Sequence, residues 1–411
     1  MSRSTSARGG ASTAAGGRTR APLAYLLESD NVAYPNTEIN VYDRFGNQVY
    51  GPVNDVGLAD NWCIAQLTPA LGGKLFHKAG TYPLDTRIMA PANTYGVGIV
   101  GESMGTPSLP GGTYFEAVAG FAGDMIELNE HYDYVQDIGI YGLAGVDLIN
   151  LGSVDTWVFR CLLAHYRYGV DMSGNQWVDQ CIIGQGLANG VGIRALGGTN
   201  SITRNLFNAP NDGNQCIQAR DGRVKIIDND FESTDFGVVV PAGLTVDSII
   251  ASLNNFYNMD IYPYRIEGTL THLNLSHEFV RGGGVTNNYL RTEAAAVITK
   301  GYISDITIEN LAAAVFSLAG TQNLELTRIE GYTPVGSIGP PAVPLTTVAY
   351  TNAYGFPCLV TITETTPGDV TVVGIDGVNT NLTPPCSVVV AHDETIAFVY
   401  TVAPTWVWYG L

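Results

Sequence analysis

Five stretches of the chain fall on one pattern of apolar and polar positions without gaps: TWVFRCLL (156–163), QWVDQCII (176–183), NSITRNLF (200–207), VKIIDNDF (224–231) and IIASLNNF (249–256). Their common point is Cys161, Cys181, Asn205, Asn229 and Asn254, in steps of 20, 24, 24 and 25 residues. Three positions before it stand Val158, Val178, Ile202, Ile226 and Ala251, and two after it Leu163, Ile183, Phe207, Phe231 and Phe256. A repeat of this length holds three short strands and their corners, and the two apolar columns then stack into a core shared by successive coils. A second apolar strand follows in each coil, as in Gly169-Val170, Cys216-Ile217 and Val238-Val239-Val240. The pattern continues more weakly through 270–279, 304–311 and 323–331 and reaches back to 137–149. It predicts a right-handed parallel β-helix over residues 59–338 with roughly nine to eleven coils.

Between the two apolar columns the chain must turn sharply. Asparagine is the non-glycine residue that best tolerates a left-handed corner, so Asn205, Asn229 and Asn254 are expected there. Stacked at about 4.8 Å, their amides form a ladder that begins at Cys161 and Cys181. Those two cysteines should lie close enough for a bridge, with free thiols favoured if assembly takes place in a reducing cytoplasm. His277 falls near the same column and reads as a structural corner residue.

The flanks differ from the repeat. Residues 1–22 carry Arg3, Arg8, Arg18 and Arg20 among Ser, Gly and Ala with no acid, which predicts a flexible arm. Residues 23–58 contain two alternating runs around Phe45-Gly46-Asn47, read as a β-hairpin in a small N-terminal β module. A proline-rich linker covers 339–346, and the alternation over 347–411 predicts an antiparallel β-sandwich cap, in which Cys358 and Cys386 are candidates to face one another. The expected fold class is all-β.

Composition supports this and narrows the function. Glycine at 48 of 411 residues and charged residues at 14% suit many short strands and tight corners. A net charge of −18 argues against a nucleic-acid partner, and no unbroken apolar run reaches membrane-spanning length. No nucleotide loop, catalytic-serine elbow or metal-ligand spacing occurs, so neither cofactor nor metal is expected.

Two segments carry a family resemblance. Gly72-Gly73-Lys74-Leu75-Phe76-His77-Lys78-Ala79-Gly80-Thr81-Tyr82, with Val97-Gly98-Ile99-Val100-Gly101 after it, resembles the opening coil of pectate-lyase-like β-helices, Ala79 standing where proline is usual. The run from Asn352 through Phe356-Pro357-Cys358-Leu359-Val360-Thr361-Ile362 to Ala403-Pro404-Thr405-Trp406-Val407-Trp408 resembles the small terminal sandwich of phage tail and spike proteins. The resemblance implies a viral spike or tail-fibre protein on the virion surface. It would be a homotrimer attached through its N-terminus and would recognise a cell-surface glycan or other receptor. A polysaccharide depolymerase, glycosidase or lyase, is the alternative, and a purely structural decoration protein is a third.

Two sets of residues could carry that chemistry. Asp179, Asp228, Asp230 and Glu232 fall on or beside neighbouring coils, and outward acids about 5–10 Å apart suit glycoside hydrolysis. The plainer reading is solvated surface acid, and Arg204 beside Asp228 points to a cross-strand ion pair. Trp157 and Trp177 lie one coil apart in an outward column, with Tyr166 and Tyr168 nearby. Such rings suit the apolar faces of sugars and equally a subunit interface.

Overall fold

The computed structural model describes residues 23–410 apart from 68–71, 107–110, 185, 209–212, 283–287, 312–314, 331–335, 339–340, 353–356 and 392. The arm 1–22 and the first two linker positions lie outside the described residues.

Three walls of parallel strands wind around one core. The first runs from Gly73–His77 through Thr156–Phe159 and Arg223–Ile227 to Thr321–Glu330, and the second from Gly80–Leu84 through Asp230–Glu232 to Phe279–Arg281. The third is a sheet of 10 strands from Ile88–Ala90 to Phe316–Ser317. The two apolar columns are in register as the repeat predicts: Val158, Val178, Ile202, Ile226 and Ala251 face one another along the first wall. Leu163, Ile183, Phe207, Phe231 and Phe256 do so along the second. The three phenylalanine rings stack at 4.9 and 4.6 Å inside the helix.

The corner between these walls has two residues with different duties. The first is left-handed: Asp137, Arg160, Gln180, Arg204, Asp228, Leu253, His277, Asp305 and Arg328 have φ between 49° and 59°. Its successor points inward, giving the buried column Ile138, Cys161, Cys181, Asn205, Asn229, Asn254, Glu278, Ile306 and Ile329. The asparagines therefore are not the left-handed residues, contrary to the expectation. The residue before each one takes the strained conformation, and that turn aims the next side chain into the core.

Once inside, the amides satisfy one another. Asn229 Oδ1 accepts from the Asn205 backbone N–H at 2.9 Å and from Asn205 Nδ2 at 3.0 Å. Asn229 Nδ2 donates to Asn254 Oδ1 at 3.1 Å and to the Ile202 carbonyl at 3.0 Å. At one end the Cys161 N–H donates to Cys181 Sγ at 3.4 Å, and both thiols are free. At the other, Glu278 accepts from Asn254 Nδ2 at 2.7 Å and from the Tyr264 and Tyr289 hydroxyls at 2.6 Å each. Burial raises the Glu278 carboxyl to about 7.

The N-terminal strands continue the first wall. Ile39–Asp43 and Gln48–Val53 form the hairpin, while Leu23–Ser29 pairs antiparallel with Ile39–Asp43 and parallel with Gly73–His77. A helix, Val56–Gln66, follows and was not foreseen, because its apolar residues follow no clear helical stripe. Asp55 caps it by accepting from the Gly57 N–H at 2.9 Å, and Val56, Ala59, Cys63 and Ile64 bury against the first rung. A Cβ at Gly57 would stand 1.7 Å from the Thr86 carbonyl oxygen, so only glycine allows this approach. Asp60 is fully buried against His77, 2.9 Å from its Nε2.

Beyond the helix, two four-stranded antiparallel sheets close over a core containing Trp406, Trp408 and Phe398. Trp406 Nε1 donates to the Pro341 carbonyl at 2.7 Å, and Leu326 packs against both this core and that of the helix. Cys358 faces Val390 and Cys386 faces Ile362, so the two cysteines do not face one another. Ile362, opposite Cys386, stands four positions along the strand from Cys358, which keeps the thiols apart.

Asn229→Ala strips the Asn205 N–H of its acceptor and removes the side-chain donor to Asn254 Oδ1 and the Ile202 carbonyl, and should lower unfolding free energy by about 3 kcal/mol in a denaturant titration. Glu278 generates a pH test. Its ordinary value of 4.5 applies once unfolded, so its stabilisation is complete below that pH and is lost as pH rises through the folded value of about 7. Asp133, raised to about 8 by burial, acts in the same direction. Glu278→Gln, which keeps an amide at the ladder's end, should therefore remove up to about 3 kcal/mol of the stability difference between pH 5 and pH 7.5. An unchanged difference would show that Glu278 stays ionised.

Candidate functional site

Strand alternation sends Thr156 and Val158 inward and Trp157 outward, and likewise Gln176, Val178 and Trp177. Register then builds an outward column on the first wall: Gly98, Tyr134, Trp157, Trp177, Ser201 and Lys225. The Tyr134 and Trp157 rings stack at 5.0 Å and 5°. Gly98 makes room for them, since a Cβ there would lie 2.3 Å from the Tyr134 ring. Beside Trp177 a shallow depression of about 390 Å³ is lined by Asp155, Asn175, Thr199, Ser201 and Lys225. His131 approaches the Asp155 carboxylate at 3.6 Å and stacks near Tyr95. Tyr134 is buried beneath the column, while the half-buried Trp157 and Trp177 rings next to carboxylate, amide and hydroxyl groups provide what a sugar ring needs, an apolar platform with polar groups at its edge.

The other aromatic candidates do not join this site. Tyr166 is 1% exposed and belongs to the core, because the corner after Ala164 turns it inward. Tyr168 opens a third-wall strand, Tyr168–Met172, where the Arg194 guanidinium lies 3.3 Å over its ring.

The four acids also separate. Asp179 stands on the first wall and pairs with Arg204, whose Nε is 2.9 Å from Oδ1, and it accepts from Thr203 Oγ1 at 2.8 Å. Arg204 thus pairs with the coil before it and not with Asp228, as the sequence suggested, because its left-handed backbone directs the side chain backwards. Asp228 is exposed at its corner. Asp230 and Glu232 share the outward side of one second-wall strand, bound to Asn255 Nδ2 at 2.8 Å and Asn208 Nδ2 at 3.5 Å. Asp179 meets Thr203 and then Ile227 along the wall, two rungs from the Asp228 corner, so the acids form no single cluster.

A closer group of carboxylates lies on the third wall. Asp124 and Asp147 are direct cross-strand neighbours, and Glu127, Asn150 and Asp171 form the adjoining column. Arg167 Nε binds Asp147 at 2.8 Å, Arg194 grips Asp171, and Arg87 binds Glu127 at 2.7 Å. Burial pushes the Asp124 carboxyl up, and Asp147, Asp171 and Glu127 add to it. The available sequence signal was an Asp followed one coil later by Arg, which recurs at separations of 20, 23 and 25 residues. Among the described residues no group of three His, Cys, Asp or Glu side chains is placed to hold a metal.

No protein-family model matches the chain, and no curated protein sequence does. Solved structures share its architecture. Tailspike protein 2 of Escherichia coli O157:H7 bacteriophage CAB120 superposes with a TM-score of 0.48 at 12% identity over 88% of this chain. The chain spans 61% of that protein's length. ORF18 of Geobacillus virus E2 gives 0.43 at 12%, covering 87% of this chain and 74% of the other. The family 28 exopolygalacturonase of Yersinia enterocolitica gives 0.43 at 11%, with 71% and 76% covered. The chain is a parallel β-solenoid with separate antiparallel sheets at its C-terminus. At these identities the likeness is one of fold, and the site must be argued from its own residues.

Proposed function

We propose that the chain is a spike- or fibre-type protein of a virion surface that holds a cell-surface glycan along the first wall of its β-helix. The observation that carries this is the outward, half-buried pair Trp157 and Trp177, one coil apart, which runs into a depression edged by Asp155, Asn175 and Ser201. Rigid rings at strand spacing offer successive platforms to successive sugar units. Homotrimer formation belongs to the same proposal. It is supported by apolar residues on the outer face of the terminal sheet, where Val389, Leu359 and Tyr409 lie side by side and Val389 is 53% exposed. Attachment to the particle is assigned to the arm 1–22. Among the described residues no helix is long and apolar enough to cross a membrane.

A depolymerase is the second reading, and the Asp124–Asp147 pair favours it over the acids singled out in the sequence. Adjacent strands bring such carboxyls to about 5 Å, the separation of a retaining glycosidase, with Asp147 hydrogen-bonded by Arg167 and Asp124 pushed by burial towards its protonated form. In that case Asp124→Asn abolishes reducing-end release from host polysaccharide while the thermal midpoint holds. Absence of any release by the parent protein removes the enzymatic reading.

For glycan binding, Trp177→Ala should weaken affinity on a glycan array and in calorimetry at least roughly ten-fold, the loss of one ring platform. Unchanged affinity would remove the aromatic column from the site. Sedimentation equilibrium at micromolar concentration should give three times the monomer mass, and a stable monomer would remove the trimer.

A further inference from the structure

The first wall changes character below the aromatic column. Beyond Ser201 the outward positions are Lys225, Ile250, Asn274 and Tyr302, each directly opposite the next. The parallel outward column one position over reads Thr199, Arg223, Ser248, His272 and Lys300. Arg223, Lys225, His272 and Lys300 are all exposed. None of them makes an ion pair with a described residue. Elsewhere in the helix arginines are matched by acids one coil away: Arg160 with Asp137, Arg167 with Asp147, Arg194 with Asp171, Arg204 with Asp179 and Arg328 with Asp305. The two basic columns contain no acid over these rungs. The nearest are Asp155, which lines the same depression as Lys225, Asp221, which accepts from the Gly222 N–H, Asp247 beside Ser248, and Glu325 beyond Tyr302.

Arg223, Lys225 and Lys300 thus place three positive charges on one wall with no acid directly opposite any of them on a neighbouring strand. On a chain of net charge −18 it is the exception that calls for an explanation. The patch is also continuous with the ring column: Trp177, Ser201 and Lys225 are successive positions and line the same depression.

We propose that this half of the wall receives the anionic groups, carboxylate or phosphate, of an acidic polysaccharide whose rings stack on Trp157 and Trp177. The inference rests on the glycan reading above and adds the class of glycan. From Arg223 to Lys300 is three rungs, about 14 Å, so one polymer running along the axis meets rings and then charges without bending. A nucleic acid fits less well, because the cations occupy one short stretch and the rest of the surface repels a phosphate backbone.

The test compares four probes on the full chain by calorimetry: polygalacturonate for carboxylate, a teichoic acid for phosphate, neutral pullulan, and duplex DNA. The parent protein should bind one of the two anionic glycans at least roughly ten-fold more tightly than pullulan, with that preference shrinking as salt is raised. The R223Q/K300Q double variant should lose the preference and retain pullulan binding, and Trp177→Ala should weaken both. These side chains are exposed, so the thermal midpoint should not move. If the double variant nevertheless fails to fold, Arg223→Gln alone should show a partial loss of preference. Equal binding of anionic and neutral glycans, unchanged in the double variant, overturns the charge inference and leaves the glycan reading standing. Binding of DNA with no glycan bound overturns both.

Discussion

Parallel stacking at a fixed strand spacing places each residue about 4.8 Å from its counterpart in the next coil, and the consequences of that repetition run through the whole molecule. A buried polar side chain on such a scaffold has a copy of its own position above and below it. An isolated amide at the inner corner would strand donors and acceptors, whereas Asn229 accepts from the coil before and donates to the coil after. The ladder can only end on groups that tolerate an unequal demand. Sulfur, a weak partner in both directions, does so at Cys181, and Glu278 does so with two tyrosine hydroxyls. Past these ends the column reverts to Ile138 and Ile306, where nothing polar has to be matched.

The same repetition governs charge outside the helix. A column that alternates in sign neutralises itself, which is why an Asp is so often answered by an Arg on the next coil. Columns that repeat a sign are the informative ones. Asp124 against Asp147 is relieved inside the chain, by arginines and by the raised carboxyl of Asp124. Lys225 and Lys300 stand on the first wall with no acid opposite them on a neighbouring strand.

The period and both apolar columns were legible in the sequence because a buried column tolerates little but Val, Ile, Leu, Phe or Ala, and such restriction survives changes in corner length. The division of labour within the corner was not legible: Leu253 holds a left-handed position at φ 59°, and no propensity scale assigns it there. Tyr166 and Tyr168 looked like a pair, yet a corner between them sends one into the core and the other to a different wall. The helix Val56–Gln66 escaped because its buried face includes Gly57 and Asp60, which no apolar period contains. The basic columns escaped for another reason. Their members are spread over residues 223 to 300, and unequal corner lengths hide from a linear reading that they stand on adjacent rungs.

A solenoid also fixes what kind of ligand such columns can recognise. Ring and charge positions borne on strands move little, so binding orders few side chains and the spacing of the rungs is imposed on the ligand. A compact ligand would touch two or three rungs and leave the remaining platforms unused. A polymer with its own regular repeat can engage them in succession, and each added unit then contributes without a new cost of association. Trp157, Trp177, Ser201 and Lys225 follow one another on successive rungs of one wall, the geometry on which the proposed extended, axis-parallel glycan rests.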